Sequence, residues 1–271
     1  MLNDGTGEHN SLRELLGALV AGDVGVEEAL QKLRLLQVSQ LGGFARLDSN
    51  RILRKGVPEV IYAPRKTDKN LLAIVEHFLE VRGLALVSRL EPERADLLRS
   101  RLEADGRFAG LVFAHEPEAG VLAVTTGNYR RPEARGYVGL LTAGTSDIPV
   151  AEEAALVAEH MGCHVERGYD VGVAGVHRLL EPLSRMIEAG ADVFVVVAGM
   201  EGALPSVVGG LVDVPVVGVP TSTGYGLGGD GTAALYSILQ SCSPGVLAVN
   251  IDNGVGAGAA AALIARRRSP A

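Results

Sequence analysis

Tryptophan is absent from the 271 residues, and aromatic residues together make up only 4%. A core must therefore be built from Val, Leu, Ala and Ile, and a hydrophobic content of 47% is enough for a sizeable one. Cysteine occurs twice, at Cys163 and Cys242, too few for a disulfide framework or a zinc cluster. Such usage fits a reducing compartment. Positive charge is not in excess: the net charge is -7, which argues against a nucleic-acid binder with its basic face. No apolar run approaches the roughly 18 residues that span a bilayer. Met1 to Asn10 is polar and has no apolar signal core. The expectation is a cytoplasmic protein that binds neither nucleic acid nor membrane. There is no Walker A lysine pattern, and no G-x-G-x-x-G opens the first βα unit, so an ordinary dinucleotide dehydrogenase lacks support.

Glycine is in excess, with 35 residues, roughly twice the usual share. No Gly-X-Y period exists, so these glycines read as tight turns and close backbone approaches. The most informative stretch is Ala198-Gly199-Met200-Glu201-Gly202-Ala203-Leu204-Pro205-Ser206, which follows the apolar run Val193-Phe194-Val195-Val196-Val197. That order puts glycines and a carboxylate at the carboxyl end of a buried parallel strand, where open α/β sheets bind ligands. Two similar turns flank it in sequence: Thr142-Ala143-Gly144-Thr145-Ser146-Asp147 and Pro220-Thr221-Ser222-Thr223-Gly224-Tyr225-Gly226. Three Gly/Ser/Thr turns, each after an apolar strand, point to one nucleotide site.

Residues 1–10 read as disordered. Ser11-Leu12-Arg13-Glu14 has the capping-box pattern, and a first helix follows it. A second amphipathic helix fits 24–38, and the segment from Asp48 to Gly56 is polar. A strand fits 60–63. Helices at 69–82 and 92–103 then alternate with strands at 84–88, 108–113 and 121–124, and 127–136 reads as a linker. Beyond it, strands fit 137–143, 164–169, 192–198, 214–219 and 246–250, with helices at 150–161, 176–189, 204–211, 230–240 and 257–266. The pattern predicts an α/β protein: a doubly wound parallel sheet over 126–271, preceded by a smaller N-terminal α/β domain over 1–125.

Each candidate residue has a chemical and a plainer reading. Cys242, in Ser241-Cys242-Ser243-Pro244-Gly245, is a nucleophile if its thiolate forms, or else a small buried hydrophobe. Cys163 leads straight into a strand and reads as structural. Glu201 is a general base, or a carboxylate complementing a helix N-terminus. His177-Arg178 offers a proton carrier and a phosphate clamp, or two solvent-facing residues of a first helical turn. Gly144-Thr145-Ser146-Asp147 opens a helix, where backbone amides and hydroxyls bind phosphate, or where Ser or Asp simply caps. Arg51, Arg54, Lys55, Arg65, Lys66 and Lys69 cluster in an otherwise acidic chain, either as a solvated face or as anion contacts.

Taken together these segments resemble the nickel-pincer-nucleotide biosynthesis carboxylase/hydrolases of the LarB family, also called pyridinium-3,5-biscarboxylic acid mononucleotide synthases. The resemblance runs through Ala143–Asp147, Pro149–Ala154, Asp170–Leu180, Val197–Gly210, Pro220–Gly226, Ser241-Cys242 and Val249–Gly254. It includes Arg51-x-x-Arg54-x-Gly56-x-Pro58-Glu59-Val60-Ile61 and Lys66-Thr67, and covers about 45–258. Arg65, Thr223 and Val255 depart from the family's Gly, Val and Phe. The C-terminal half is also similar to the carboxyaminoimidazole ribonucleotide mutases of purine synthesis. There a Gly-Ser-x-Ser-Asp turn binds phosphate and a Ser-Ala-His-Arg segment supplies a catalytic His.

The resemblance implies carboxylation of the pyridinium ring of nicotinic acid adenine dinucleotide, then cleavage of its phosphoanhydride. Cys242 is then the covalent catalyst, and Glu201, with His177 as the alternative, the base. Gly144, Thr145, Ser146, Asp147, Asp170, Arg178, Gly199, Met200, Ser222 and Thr223 bind substrate, and Arg51 and Lys66 contribute cations from the N-terminal domain. No tightly bound cofactor is implied. Carbon dioxide or bicarbonate is the co-substrate, and a role for magnesium in the hydrolysis stays open. The expected assembly is a homo-oligomer larger than a dimer, an octamer by analogy with the purine mutases. Two alternatives remain at this point: a purine-type carboxyl-transfer mutase, and a non-catalytic nucleotide sensor.

Overall fold

The computed structural model of the chain describes residues 6–30, 39–41, 45–48 and 51–268. Contacts divide it into two compact units, Met1–Glu59 and Val60–Ala271.

In the first unit, α1 spans Thr6–Ala21 and residues 26–30 are again helical. Residues 6–10, expected to be disordered, thus belong to α1, and Ser11 lies inside the helix instead of capping it. Polar residues carry only a small helix penalty, so nothing local stops the helix at Ser11. Most of the helix expected over 24–38 lies outside the described residues. Strands β1 (Ser39–Leu41) and β2 (Ala45–Leu47) pair antiparallel. The polar segment after Asp48 folds as a short helix, α2 (Arg51–Lys55), with Arg54 and Lys55 in its last turn, where cations suit the helix dipole.

The second unit holds two sheets. The first contains β3 (Val60–Tyr62), β4 (Leu84–Ser88), β5 (Val112–Glu116) and β6 (Val121–Thr125), in the order β3-β4-β6-β5. β3 and β4 are parallel, and the other pairings are antiparallel. Helices α3 (Asp68–Arg82) and α4 (Pro92–Asp105) connect them. The Thr67 hydroxyl caps α3 by accepting the Asn70 N–H at 3.3 Å. The strand expected at 108–113 is displaced to Val112–Glu116 because pairing with β6 sets its extent: Val112 faces Thr125 and Glu116 faces Val121.

The second sheet has five parallel strands: β7 (Tyr137–Thr142), β8 (His164–Gly168), β9 (Val193–Ala198), β10 (Val216–Pro220) and β11 (Val246–Ala248). Their order is β11-β10-β9-β7-β8. Helices α5 (Ile148–His160), α6 (His177–Glu188), α7 (Leu204–Gly209), α8 (Thr232–Leu239) and α9 (Gly254–Arg268) make the crossovers and the C-terminal cover. Leu179, Leu183, Met186, Leu204 and Val208 from α6 and α7 pack on Leu141, Phe194 and Val196 of the sheet. Helices α5 and α9 pack on each other and on β7 and β9. Leu156 of α5 also packs against Leu84, Leu86, Val121 and Ala123 of the first sheet. Being covered on both sides leaves α5, rich in alanine, with no exposed residue, and its glutamates Glu152, Glu153 and Glu159 are paired with arginines. The fold is the expected α/β architecture with a doubly wound parallel sheet. The boundary expected near residue 125 falls between the two sheets, both of which lie in the second unit.

Candidate active site

Strand order dictates where a site can form. β8 lies on one side of β7 and β9 on the other, so the chain reverses direction across the sheet at the β7/β9 pair. Loops leaving the carboxyl ends of those two strands diverge to opposite faces and leave a crevice. A cleft of about 640 Å³ lies there, lined by Gly144, Ser146 and Asp147 after β7, Arg178 on α6, Gly199, Met200 and Glu201 after β9, and Ser222, Thr223 and Tyr225 after β10. The three turns singled out in the sequence thus converge on one cavity.

Asp147 holds them together. It is 3% exposed. One oxygen accepts the Gly144 N–H at 2.9 Å; the other accepts the hydroxyls of Thr221 and Thr223, both at 2.6 Å. The carboxylate therefore ties the turn after β7 to the turn after β10. Gly199 completes the junction by its size: a Cβ there would sit 2.3 Å from the Thr223 carbonyl oxygen and 2.8 Å from two threonine hydroxyls. Its glycine serves turn-to-turn packing. Gly172 does the same on the other side, where a Cβ would meet the Ala143 carbonyl oxygen at 2.5 Å.

Arg178 pairs with Asp170, which adopts a left-handed backbone (φ 56) and donates its N–H to Thr142 Oγ1 at 3.1 Å. The guanidinium so held lines the cleft. Glu201 is exposed at the cleft wall and makes no hydrogen bond or ion pair with another described residue, so its carboxylate is free to meet a ligand. Tyr225 also lines the cleft, with 79% of its surface exposed.

Other predicted residues lie elsewhere. Thr145 is exposed and does not line the cleft, and His177, next to Arg178, is exposed and outside the lining. Cys242 is exposed on the turn that leads into β11, so it lies toward the amino end of the sheet, opposite the rim. Its neighbours Ser241 and Ser243 bond Ser206 of α7, at 2.8 and 2.7 Å. Burial pushes the other thiol, Cys163, up to about 11, which leaves it unreactive at neutral pH. Arg51 belongs to the first unit, where it pairs with Glu59 at 2.9 Å. Lys66 donates to the Tyr62 carbonyl at 2.8 Å and is not part of the cleft lining. Among the described residues, no group of three His, Cys, Asp or Glu side chains is placed to hold a metal ion. No helix among them is long and apolar enough to cross a membrane.

Sequence reasoning missed three contributors. In the sequence Thr221 is one residue of a turn, although its burial beside Asp147 makes it structural. Arg89 and Glu153 were not singled out, yet they pair at 3.0 Å just behind the Ser222 turn. The signal for Arg89 was a cation placed directly after the buried strand Leu84–Ser88.

Residues 137–271 match the AIR carboxylase family, and residues 38–125 match the LarB/PurE-like N-terminal domain. The chain is 43% identical over 94% of its length to an uncharacterized protein of Methanocaldococcus jannaschii, of which it covers 97%. It is 34% identical to the N5-carboxyaminoimidazole ribonucleotide mutase of Thermotoga maritima, over 47% of this chain and 73% of that protein. The corresponding mutase of Methanocaldococcus jannaschii is also 34% identical, over 42% of this chain and 69% of that protein. With the cleft at the strand ends of the matched domain, the chain belongs to the AIR carboxylase family of carboxyl-transfer proteins and carries a LarB/PurE-like domain ahead of it.

Proposed function

We propose that this chain carboxylates the pyridinium ring of nicotinic acid adenine dinucleotide and then hydrolyses the phosphoanhydride, yielding the dicarboxylated mononucleotide and AMP. The observation that carries the reading is the composition of the cleft. It offers neutral hydroxyl and amide donors and one clamped guanidinium for phosphates, with an unpartnered carboxylate, Glu201, on the same wall.

The chemistry follows from the ring. A pyridinium is electrophilic and cannot attack carbon dioxide. Addition of a thiolate, assigned to Cys242, makes a dihydropyridine enamine. Its nucleophilic carbon forms the new bond to carbon dioxide. Glu201 removes the proton from that carbon, the electron pair restores the aromatic ring, and the carbon–sulfur bond breaks to return the thiolate. Water then cleaves the phosphoanhydride and AMP leaves.

Because Cys242 lies outside the cleft of its own chain, the reading requires a second copy to bring the thiolate to Glu201. A homo-oligomer is therefore part of the proposal. Cys242→Ser and Glu201→Gln should each be inactive alone, and mixed oligomers of the two should regain activity. The primary test is mass spectrometry after incubation with the dinucleotide and labelled bicarbonate. Label in a dicarboxylated mononucleotide, with AMP released, is expected; an unchanged dinucleotide would refute the proposal. The similarity to the purine mutases favours a second reading, carboxyl transfer on a purine-precursor ribonucleotide. Turnover of that substrate, without any need for Cys242, would establish it instead.

A further inference from the structure

Behind the Ser222 turn, outside the cleft lining, three charged groups from three segments meet. Arg89 follows β4 of the first sheet, Glu153 lies on α5, and Asp252 precedes α9. The Arg89 Nε–H donates to Glu153 Oε1 at 3.0 Å, and its Nη2–H donates to the Asp252 carbonyl oxygen at 2.6 Å. The guanidinium also lies 5.6 Å from the centre of the Tyr62 ring. Asp252 in turn accepts the Ser222 N–H at 2.8 Å and the Ser222 hydroxyl at 2.6 Å. Ser222 lines the cleft. Arg89 (φ 52) and Asp252 (φ 55) both adopt the left-handed backbone that favours glycine. Non-glycine residues held there, in direct contact with each other, mark a place where surrounding structure overrides local preference.

We infer that Arg89 is a positioning residue: from the first sheet it fixes Asp252, and through Asp252 the Ser222–Thr223 wall of the cleft. The LarB/PurE-like domain thereby shapes the site through this bridge, without touching the ligand. For the identity of the ligand the inference rests on the reading above; its mechanical content does not.

Arg89 also neutralises Glu153, a buried carboxylate whose pKa burial pushes upward. Arg89→Ala alone would orphan that charge and destabilise the protein generally. The decisive variant is therefore Arg89→Ala combined with Glu153→Gln, which removes both charges but does not restore the Asp252 contact. Amide hydrogen exchange needs no substrate. In this double variant, the hydrogen-bonded amides of Ser222, Asp252 and Asn253 should exchange about tenfold faster, the loss of about one hydrogen bond of local stability, while those of β7 and β9 keep wild-type rates. If the dinucleotide is a substrate, its KM should rise about tenfold with kcat within a few-fold, the signature of lost binding as opposed to lost chemistry. Wild-type exchange at Ser222 and Asp252, or acceleration spread evenly over the sheet, would overturn the inference. Should the double variant fail to fold, Arg89→Lys carries the same exchange readout at Ser222, Asp252 and Asn253, because a compact ammonium lacks the fixed planar fork whose Nε and Nη2 reach Glu153 and the Asp252 carbonyl together. Faster exchange at Ser222 and Asp252 with no dinucleotide turnover would leave the bridge standing and remove only the proposed substrate.

Discussion

Replacing Asp147 with alanine tests whether the cleft is held by one carboxylate. Three donors depend on it: the Gly144 N–H and the hydroxyls of Thr221 and Thr223. The Gly144 amide borders the cleft and can turn to water at small cost. The two hydroxyls lie 2.8 Å apart, so one can donate to the other once the carboxylate is gone. One buried donor is then left over, in a place where Thr221 is 1% exposed. An orphaned buried donor costs about 1–3 kcal/mol, and loss of bonds to a charged acceptor adds to that. Release of the carboxylate from burial works the other way. The balance for Asp147→Ala is a loss of about 2–4 kcal/mol, against a typical total of about 5–15 kcal/mol, so the variant should fold. Asp147→Asn should cost only about 1 kcal/mol, because its oxygen can serve Gly144 while its amide donates to the threonine oxygens. Urea unfolding followed by far-UV circular dichroism measures both, and calorimetric titration with AMP reports the cleft. A loss below about 1 kcal/mol for Asp147→Ala, or equal losses for Ala and Asn, would refute the hub.

Burial depresses the pKa of His160 below its ordinary 6.5, against the pull of its bond to the Leu156 carbonyl. A depressed folded pKa gives stability that is present above 6.5 and lost as pH falls through the folded value, at up to about 1.4 kcal/mol per pH unit. Urea midpoints should therefore drop through that window in the wild type and less so in His160→Gln. A thiol reagent at neutral pH should label Cys242 and spare Cys163 in the folded protein; labelling of Cys163 at a comparable rate would contradict its burial. Gly199→Ala should destabilise by about 1–3 kcal/mol or more, since the clash is with a backbone oxygen, and a thermal melt matching wild type would show that the turns can part freely. Glu201→Gln should leave stability within about 0.5 kcal/mol, as expected for an exposed side chain without partners, while deuterium wash-out from ring-labelled substrate slows about 100-fold or more.

Most of the second unit was legible in the sequence because hydrophobic periodicity reports burial, and burial here is strong. Apart from β8, His-Val-Glu-Arg-Gly, the strands of the parallel sheet are nearly continuous apolar runs, and the bounds of all five lie within two residues of those expected. The rim turns followed from chain direction alone. Harder to read was which side chain of a turn faces the cleft. His177 and Arg178 stand about 100° apart on a helix, so when Arg178 turns to the cleft its neighbour turns away. Nor does spacing reveal partners from distant segments. Asp147 read as a phosphate contact or a cap, but it is committed to Thr221 and Thr223, 74 and 76 residues further on. Arg89 meets Asp252 across 163 residues, which no local pattern encodes.

Cys242 is the instructive case. Every turn that lines the cleft follows a strand of the parallel sheet, and in such a sheet all strand ends of one kind lie on one edge. Cys242 precedes β11. Its place toward the opposite edge was therefore implicit in the order of elements, before any coordinate. Two statements follow from the same topology. Within one chain Cys242 does not share the rim with Glu201, and a reaction that needs both groups at one ring needs two chains. If the proposed carboxylation runs on a homo-oligomer, catalysis and assembly are a single property, and dissociating that oligomer without unfolding it should abolish carboxylation while leaving AMP able to bind. A monomeric form that still carboxylates at the oligomer's rate would separate the two, and would move the nucleophile's role away from Cys242.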